Sequence, residues 1–178
     1  MKLKHLLLPV LVMFSTSSFA GSTQSETKQM IEKQEVIDSV VKMVNAIDTK
    51  QWLTAENQFM PNVFVDYSSM NNQAGAETKA SDLVGAWSNL LKTVDTHHML
   101  TNFEVKIDGN QARMQSHVYA SHLAEGVEYW DIFGRYLHEL EKTANGWKIS
   151  SMTLIVHGQK GNTGFLAEVI EKDQAASQ

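Results

Sequence analysis

The stretch HHMLTNFEVKIDGNQARMQSHVYASHLAEGVEYWDIFGRYLHELEKTANGWKISSMTLIVH, residues 97–157, decides the architecture. Asp108-Gly109-Asn110 and Asn145-Gly146 place residues that tolerate positive φ between runs rich in β-branched and aromatic side chains, the mark of a tight hairpin. The short link Ala124-Glu125-Gly126 makes a third break. The reading is four strands, at 97–107, 112–123, 127–142 and 147–157, forming an antiparallel meander. Residues 158–164 are expected as loop, 165–170 as a short terminal helix and 172–178 as a frayed tail.

Upstream, Val36, Ile37, Val40, Val41, Val44 and Ile47 recur at helical spacing and predict a long helix over about 29–48 with one apolar face. Trp52, Ala55 and Phe59 suggest a shorter helix that Pro61 stops. Residues 62–67 are β-rich and predict a first strand, and 68–79, full of Ser, Asn, Gly and Ala, predict a loop. Ser81 is placed to cap a third helix with Leu83, Val84, Trp87, Leu90 and Leu91 on its buried side. Three helices, one early strand and a meander make an α+β domain. A strongly bent sheet of this kind can wrap the long helix and leave a cavity at its open end, the default place for a ligand.

The first residues carry a different message. Lys2 and Lys4 precede the apolar run 6–14, and Ser18-Phe19-Ala20 fits the small-x-small pattern of a signal peptidase site. A run this short falls well below the roughly 20 apolar residues that span a bilayer. A cleavable signal over 1–20 is therefore expected, with a periplasmic or secreted destination and no membrane association after its removal. The remaining chain divides into a flexible leader at 21–28, the main domain at 29–160 and a C-terminal helix and tail at 161–178. The formal net charge is −5, and loss of Lys2 and Lys4 makes it more negative, which argues against nucleic acid as a partner. With no cysteine, thiol catalysis, cysteine–zinc sites and disulfides are excluded.

No dinucleotide, phosphate-loop, zinc-protease or nucleophile-elbow motif occurs, and no cofactor is expected. What stands out is a set of strand histidines: His97, His98, His117 and His122, with His138 and His157 beyond. Adjacent His97 and His98 must point to opposite faces, as must His117 and His122 at an odd spacing. One from each strand could therefore enter a common interior, or all could sit on a solvated face. Three such ligands could hold zinc, but no pair has helical spacing. Asp48 closes the long helix, where the dipole disfavours a carboxylate, and Tyr67 ends the first strand; either could equally be a solvated turn residue or ordinary packing. A carboxylate beside an imidazole fixes its tautomer and stabilises the imidazolium formed when it takes a proton.

The string Asn45-Ala-Ile-Asp48-Thr-Lys-Gln-Trp52 resembles the helix end of the SnoaL-like branch of the nuclear transport factor 2-like superfamily. The likeness continues through 59–67, Thr96-His97-His98-Met-Leu-Thr-Asn102, the hairpin at 107–113, Gly134-Arg-Tyr136 and Asn145-Gly-Trp-Lys-Ile149, covering about residues 30–160. It implies a cone-shaped α+β barrel, its helices held in a strongly bent, mostly antiparallel sheet around a pocket, and a homodimer paired through the sheet. Within that superfamily the pattern is similar to scytalone dehydratase, and at Asp48 also to bile-acid dehydratases. The resemblance implies catalytic roles for Asp48, His98, His122 and Tyr67, either histidine being the base. The residue before the Asp is a second tyrosine in scytalone dehydratase and Ile47 here, which puts dehydration of that same substrate in question. The implied activity is that of a dehydratase, isomerase or cyclase acting on an apolar carbonyl compound. The alternative is a non-catalytic ligand-binding or dimerising domain of the cell envelope.

Overall fold

The computed structural model describes residues 17–176, with side chains from residue 24 onward. Two compact units divide the chain between Glu32 and Lys33. In the first, the described residues are the opening turns of α1 (Ser17–Asp48). The apolar run of the expected signal, residues 6–14, lies outside the described residues. Residues 21–28, expected as a flexible leader, are helical; beyond Gly21 this stretch contains no Gly or Pro to oppose a helix.

In the second unit α1 buries Val36, Val40, Val44 and Ile47 of the predicted stripe, together with Met43 and Ala46, while Ile37 and Val41 are half-buried at its flanks. The helix closes at Asp48 in a Schellman arrangement: the Gln51 N–H reaches the Ala46 carbonyl at 2.7 Å and the Lys50 N–H the Ile47 carbonyl at 3.0 Å. Lys50 takes the left-handed conformation (φ 58°) usually given to glycine there. This sharp stop fixes Asp48 as the last helical residue. Next come α2 (Trp52–Glu56), β1 (Phe59–Asp66), α3 (Ser68–Asn71), β2 (Ala76–Lys79) and α4 (Ala80–Leu90).

Several details differ from expectation. α2 stops at Glu56 without help from Pro61, which falls in β1 within a register irregularity between Phe59 and Phe64, where a missing N–H costs no ladder bond. The stretch 68–79 is not a plain loop, because α3 and the edge strand β2 occupy most of it. Ser81 does not cap α4: the N-cap position is Lys79, without a side-chain cap, and Ser81 already lies in the first turn.

The meander is as read: β3 (Asp95–Asp108), β4 (Gln111–Ala124), β5 (Val127–Thr143) and β6 (Gly146–Gly161). Gly109, at φ 57°, sits in the β3–β4 turn. β6 runs four residues into the expected 158–164 loop. The strands join β1 and β2 in one six-stranded sheet of order β2-β1-β6-β5-β4-β3, antiparallel throughout except for β1 against β6. Irregular registers at Phe133/Gly134 and Glu139/Leu140 on β5 bend it. At Gly134 the β6 backbone comes so close that a Cβ would lie 2.0 Å from the Ile155 carbonyl oxygen. α5 (Phe165–Ala176) replaces both the short helix and most of the frayed tail. Its far end is tied down by Lys172 to the Glu125 carbonyl and by Asp173 to Lys92 and Thr93. No described helix is long and apolar enough to cross a membrane.

On β4 and β5 the even-numbered residues face the core. One of them is His138, sealed at 1% exposure with neither ring nitrogen hydrogen-bonded. Burial pushes its pKa down to about 3. A histidine depressed in the folded state contributes stability that is complete above its unfolded value near 6.5 and lost as pH falls through that value toward the folded one. Between pH 7 and 5 this single group should therefore cost about 2 kcal/mol. His138→Met, of similar bulk and apolar, is expected to flatten that part of the stability–pH curve and to raise stability at pH 7. Urea midpoints measured at both pH values check this; an unchanged pH dependence would refute it.

Candidate active site

Of the histidines, the strand alternation sends His98 and His122 to the inner face and His97 and His117 to the outer one. Thr96 and His122 are register partners on β3 and β4, as are His98 and Ala120, so the two inner rings are diagonal neighbours. Their centroids lie 6.3 Å apart, edge to face. Both rings line an apolar cavity of about 350 Å³ between α1, α4, the inner sheet and α5. Met43 and Ile47 of α1, Trp87 of α4, Trp130 of β5, Met152 of β6 and Leu166 of α5 are part of its wall. Tyr67 and Tyr136 also line it. Among the described residues no Lys, Arg, Asp or Glu does.

Asp48 stands just behind this wall. One carboxylate oxygen lies 2.6 Å from His98 Nδ1 and accepts the Thr96 hydroxyl at 2.8 Å; the other accepts the His98 backbone N–H at 2.8 Å. Burial opposes the negative charge, but the side-chain hydrogen bond from His98, its charge and its N–H, together with the Thr96 hydroxyl, outweigh burial and hold the Asp48 pKa below the ordinary carboxylate value. These donors answer the unfavourable helix dipole. With Asp48 ionised, the proton between the two side chains belongs to Nδ1. In the neutral imidazole, Nε2 of His98 is then the lone-pair nitrogen, on a ring that lines the cavity.

His122 is built differently. Its Nδ1 lies 3.1 Å from the Trp130 carbonyl oxygen, an acceptor only, so Nδ1 carries the proton and Nε2 the lone pair. Its ring packs against Trp130 at 4.4 Å and Phe165 at 6.2 Å. Burial, reinforced by His98 and only partly offset by the Trp130 carbonyl, brings its pKa down to about 4. His122 is thus a neutral hydrogen-bond acceptor near pH 7. The Tyr67 phenol is pushed well above its usual value, by burial first and then by Tyr136, with the nearby Trp87 indole acting in the opposite sense. It remains a protonated donor.

Asp48, His98, His122 and Tyr67 therefore gather at one cavity, with the closest contact between Asp48 and His98. Among the described residues no group of three or more His, Asp or Glu side chains is placed to share a metal ion. Sequence reading missed three members. Thr96 steadies Asp48 and could have been found from its register opposite His122. Trp87 lines the cavity with Tyr67 and acts on its phenol. Tyr136 lies two residues from the buried His138 on a strand whose alternation already pointed it inward.

A six-stranded mixed sheet facing a helix that ends in a carboxylate–imidazole pair defines a cavity-bearing α+β protein of the nuclear transport factor 2-like kind. The chain belongs to the SnoaL-like domain family, whose model matches residues 29–153. Its fold is shared with a protein from Kribbella flavida, Kfla4162 (TM-score 0.74, 24% identity, covering 78% of this chain and 99% of that one). It is also shared with a putative scytalone dehydratase from Novosphingobium aromaticivorans (0.68, 16%, 76% and 90%). A third similar structure is a type 2 hexachlorocyclohexane dehydrochlorinase, LinA (0.64, 15%, 77% and 93%). No curated protein matches the chain in sequence.

Proposed function

We propose that the protein is an exported, cofactor-independent lyase that eliminates water from an apolar β-hydroxy carbonyl compound. The observation that carries this is the 2.6 Å Asp48–His98 contact, which leaves a basic Nε2 on a ring lining an apolar cavity. His98 Nε2 takes the proton α to the carbonyl, and the C–H electron pair becomes an enolate. Tyr67 donates to the enolate oxygen, and Asp48 stabilises the imidazolium. The enolate then expels the β-hydroxyl group, which leaves as water with the proton returned by His98. Substrate, product and water balance with no added reactant. His122 Nε2 accepts a hydrogen bond from the departing hydroxyl and so orients it. Return of the proton to carbon instead would give an isomerase on the same frame.

The names of the two similar structures support this class: each describes loss of a small molecule, water in one case and hydrogen chloride in the other. The leader at 1–20 supports export, and Met99 and Leu137, exposed on the outer sheet face, support pairing with a second copy there. The test is turnover of a panel of cyclic β-hydroxy ketones and β-halo analogues by the wild-type protein and by His98→Ala. Turnover that disappears in the variant is expected. Tight binding of the panel without turnover by the wild type would instead identify a binding domain, and equal turnover by both proteins would remove His98 as the base.

A further inference from the structure

The proposed elimination builds negative charge on the substrate oxygen in a cavity that, among the described residues, no Lys or Arg lines. That charge must be met by neutral donors besides the imidazolium itself. Tyr67 is one. Tyr136 sits on β5, register-paired with Ser116 of β4 and Leu154 of β6, and is only 8% exposed. Its ring lines the cavity. Its hydroxyl has no hydrogen-bond partner among the described residues, yet it is not among the polar atoms sealed in the core without one. The hydroxyl therefore opens onto the cavity. The Asp48 charge acts on it, and it acts on Tyr67. It thus lines the same cavity as His98 and Tyr67, within electrostatic reach of Asp48 and of the other phenol.

We propose that Tyr136 is a second catalytic hydroxyl, which with Tyr67 forms a two-donor clamp on one substrate oxygen. The clamp holds the carbonyl in the ground state and strengthens as the oxygen becomes an enolate. Ile47 of α1 lines the same cavity without a hydroxyl, so the second phenol comes from the sheet. The phenol is suited to donate, not to act as a base: burial first, and then the Asp48 charge, push its pKa up to about 12. In turnover this role rests on the elimination reading. As a binding site for an oxyanion it does not.

The test separates the two. The probes are 4-nitrophenolate, whose oxygen mimics the enolate, and nitrobenzene, which has the same ring without that oxygen. Tyr136→Phe is expected to weaken 4-nitrophenolate binding about tenfold to a hundredfold while leaving nitrobenzene affinity within about twofold. Equal losses for both probes would make Tyr136 a packing residue and overturn the clamp. No loss for either, or no phenolate binding by the wild type, would also overturn it. In the unmutated protein, proton NMR should show two downfield hydroxyl resonances on adding 4-nitrophenolate; a single one would likewise overturn the pair. If the phenolate result holds while the wild type turns over none of the ketones, the elimination reading fails and the clamp stands. If the ketones are turned over and Tyr136→Phe changes neither phenolate affinity nor kcat, the clamp alone fails.

Discussion

Asp48→Asn is expected to lower kcat on a substrate of the protein by about 10²–10⁴, with a smaller change in KM. The reason is a conflict among donors. Asp48 accepts three hydrogen bonds, from Thr96 Oγ1, His98 Nδ1 and the His98 backbone N–H, whereas an asparagine can accept on one side only. If its NH₂ faces the His98 backbone, two donors meet. If it is flipped, the NH₂ faces Nδ1, which must give up its proton; the proton then moves to Nε2 and the base facing the cavity is gone. Either orientation also leaves an unsatisfied donor in a poorly solvated site, costing about 1–3 kcal/mol of stability. A pH–rate profile and a urea curve on the same variant check both parts. Wild-type kcat in a folded variant would show that Asp48 is a structural cap and nothing more. The depressed Asp48 pKa adds a sign: its contribution to stability is present above the unfolded carboxylate value of about 3.8 and lost as pH falls through the lower folded value.

The largest loss of stability should come from Phe165→Ala, at about 3–5 kcal/mol. Phe165 is the first residue of α5, is completely buried, and stacks near Trp130 at 6.4 Å and His122 at 6.2 Å. Truncation would open a void against two residues that line the ligand cavity, and the rigid sheet on that side cannot collapse to fill it. The polar ties at the other end of α5 are exposed and worth little by comparison. Chemical denaturation should show a lower midpoint with an unchanged slope. A loss under about 1 kcal/mol, or a reduced slope, would mean that α5 undocks by itself and is not part of the cooperative core. Because His122 and Trp130 lose their packing partner, ligand affinity should fall with stability in this variant, unlike in Asp48→Asn.

The amino-acid sequence determined the architecture through signals that act over a few residues. Period-3.6 and period-2 patterns of apolar side chains placed α1 and the four long strands, and Asp-Gly and Asn-Gly turns fixed where the meander reverses. Alternation alone required that His97 and His98 oppose each other, as His117 and His122 do; the β3–β4 register then put His98 and His122 on one face. The elements it missed are those whose stability comes from distant partners. β2 is a polar four-residue strand that exists because β1 offers it an edge. The last turns of α5 hold because Lys92, Thr93 and the Glu125 carbonyl receive them. The site followed the same division. Asp48, His98, His122 and Tyr67 were legible as chemistry-bearing residues, but not their distances or protonation states. Only the tertiary structure decided that Asp48 bonds His98 and not His122, that His122 is kept neutral, and that Tyr136 opens into the cavity while His138, two residues on, is sealed in the core. Those outcomes depend on which groups share a low-dielectric interior, and the chain brings such groups together only by folding.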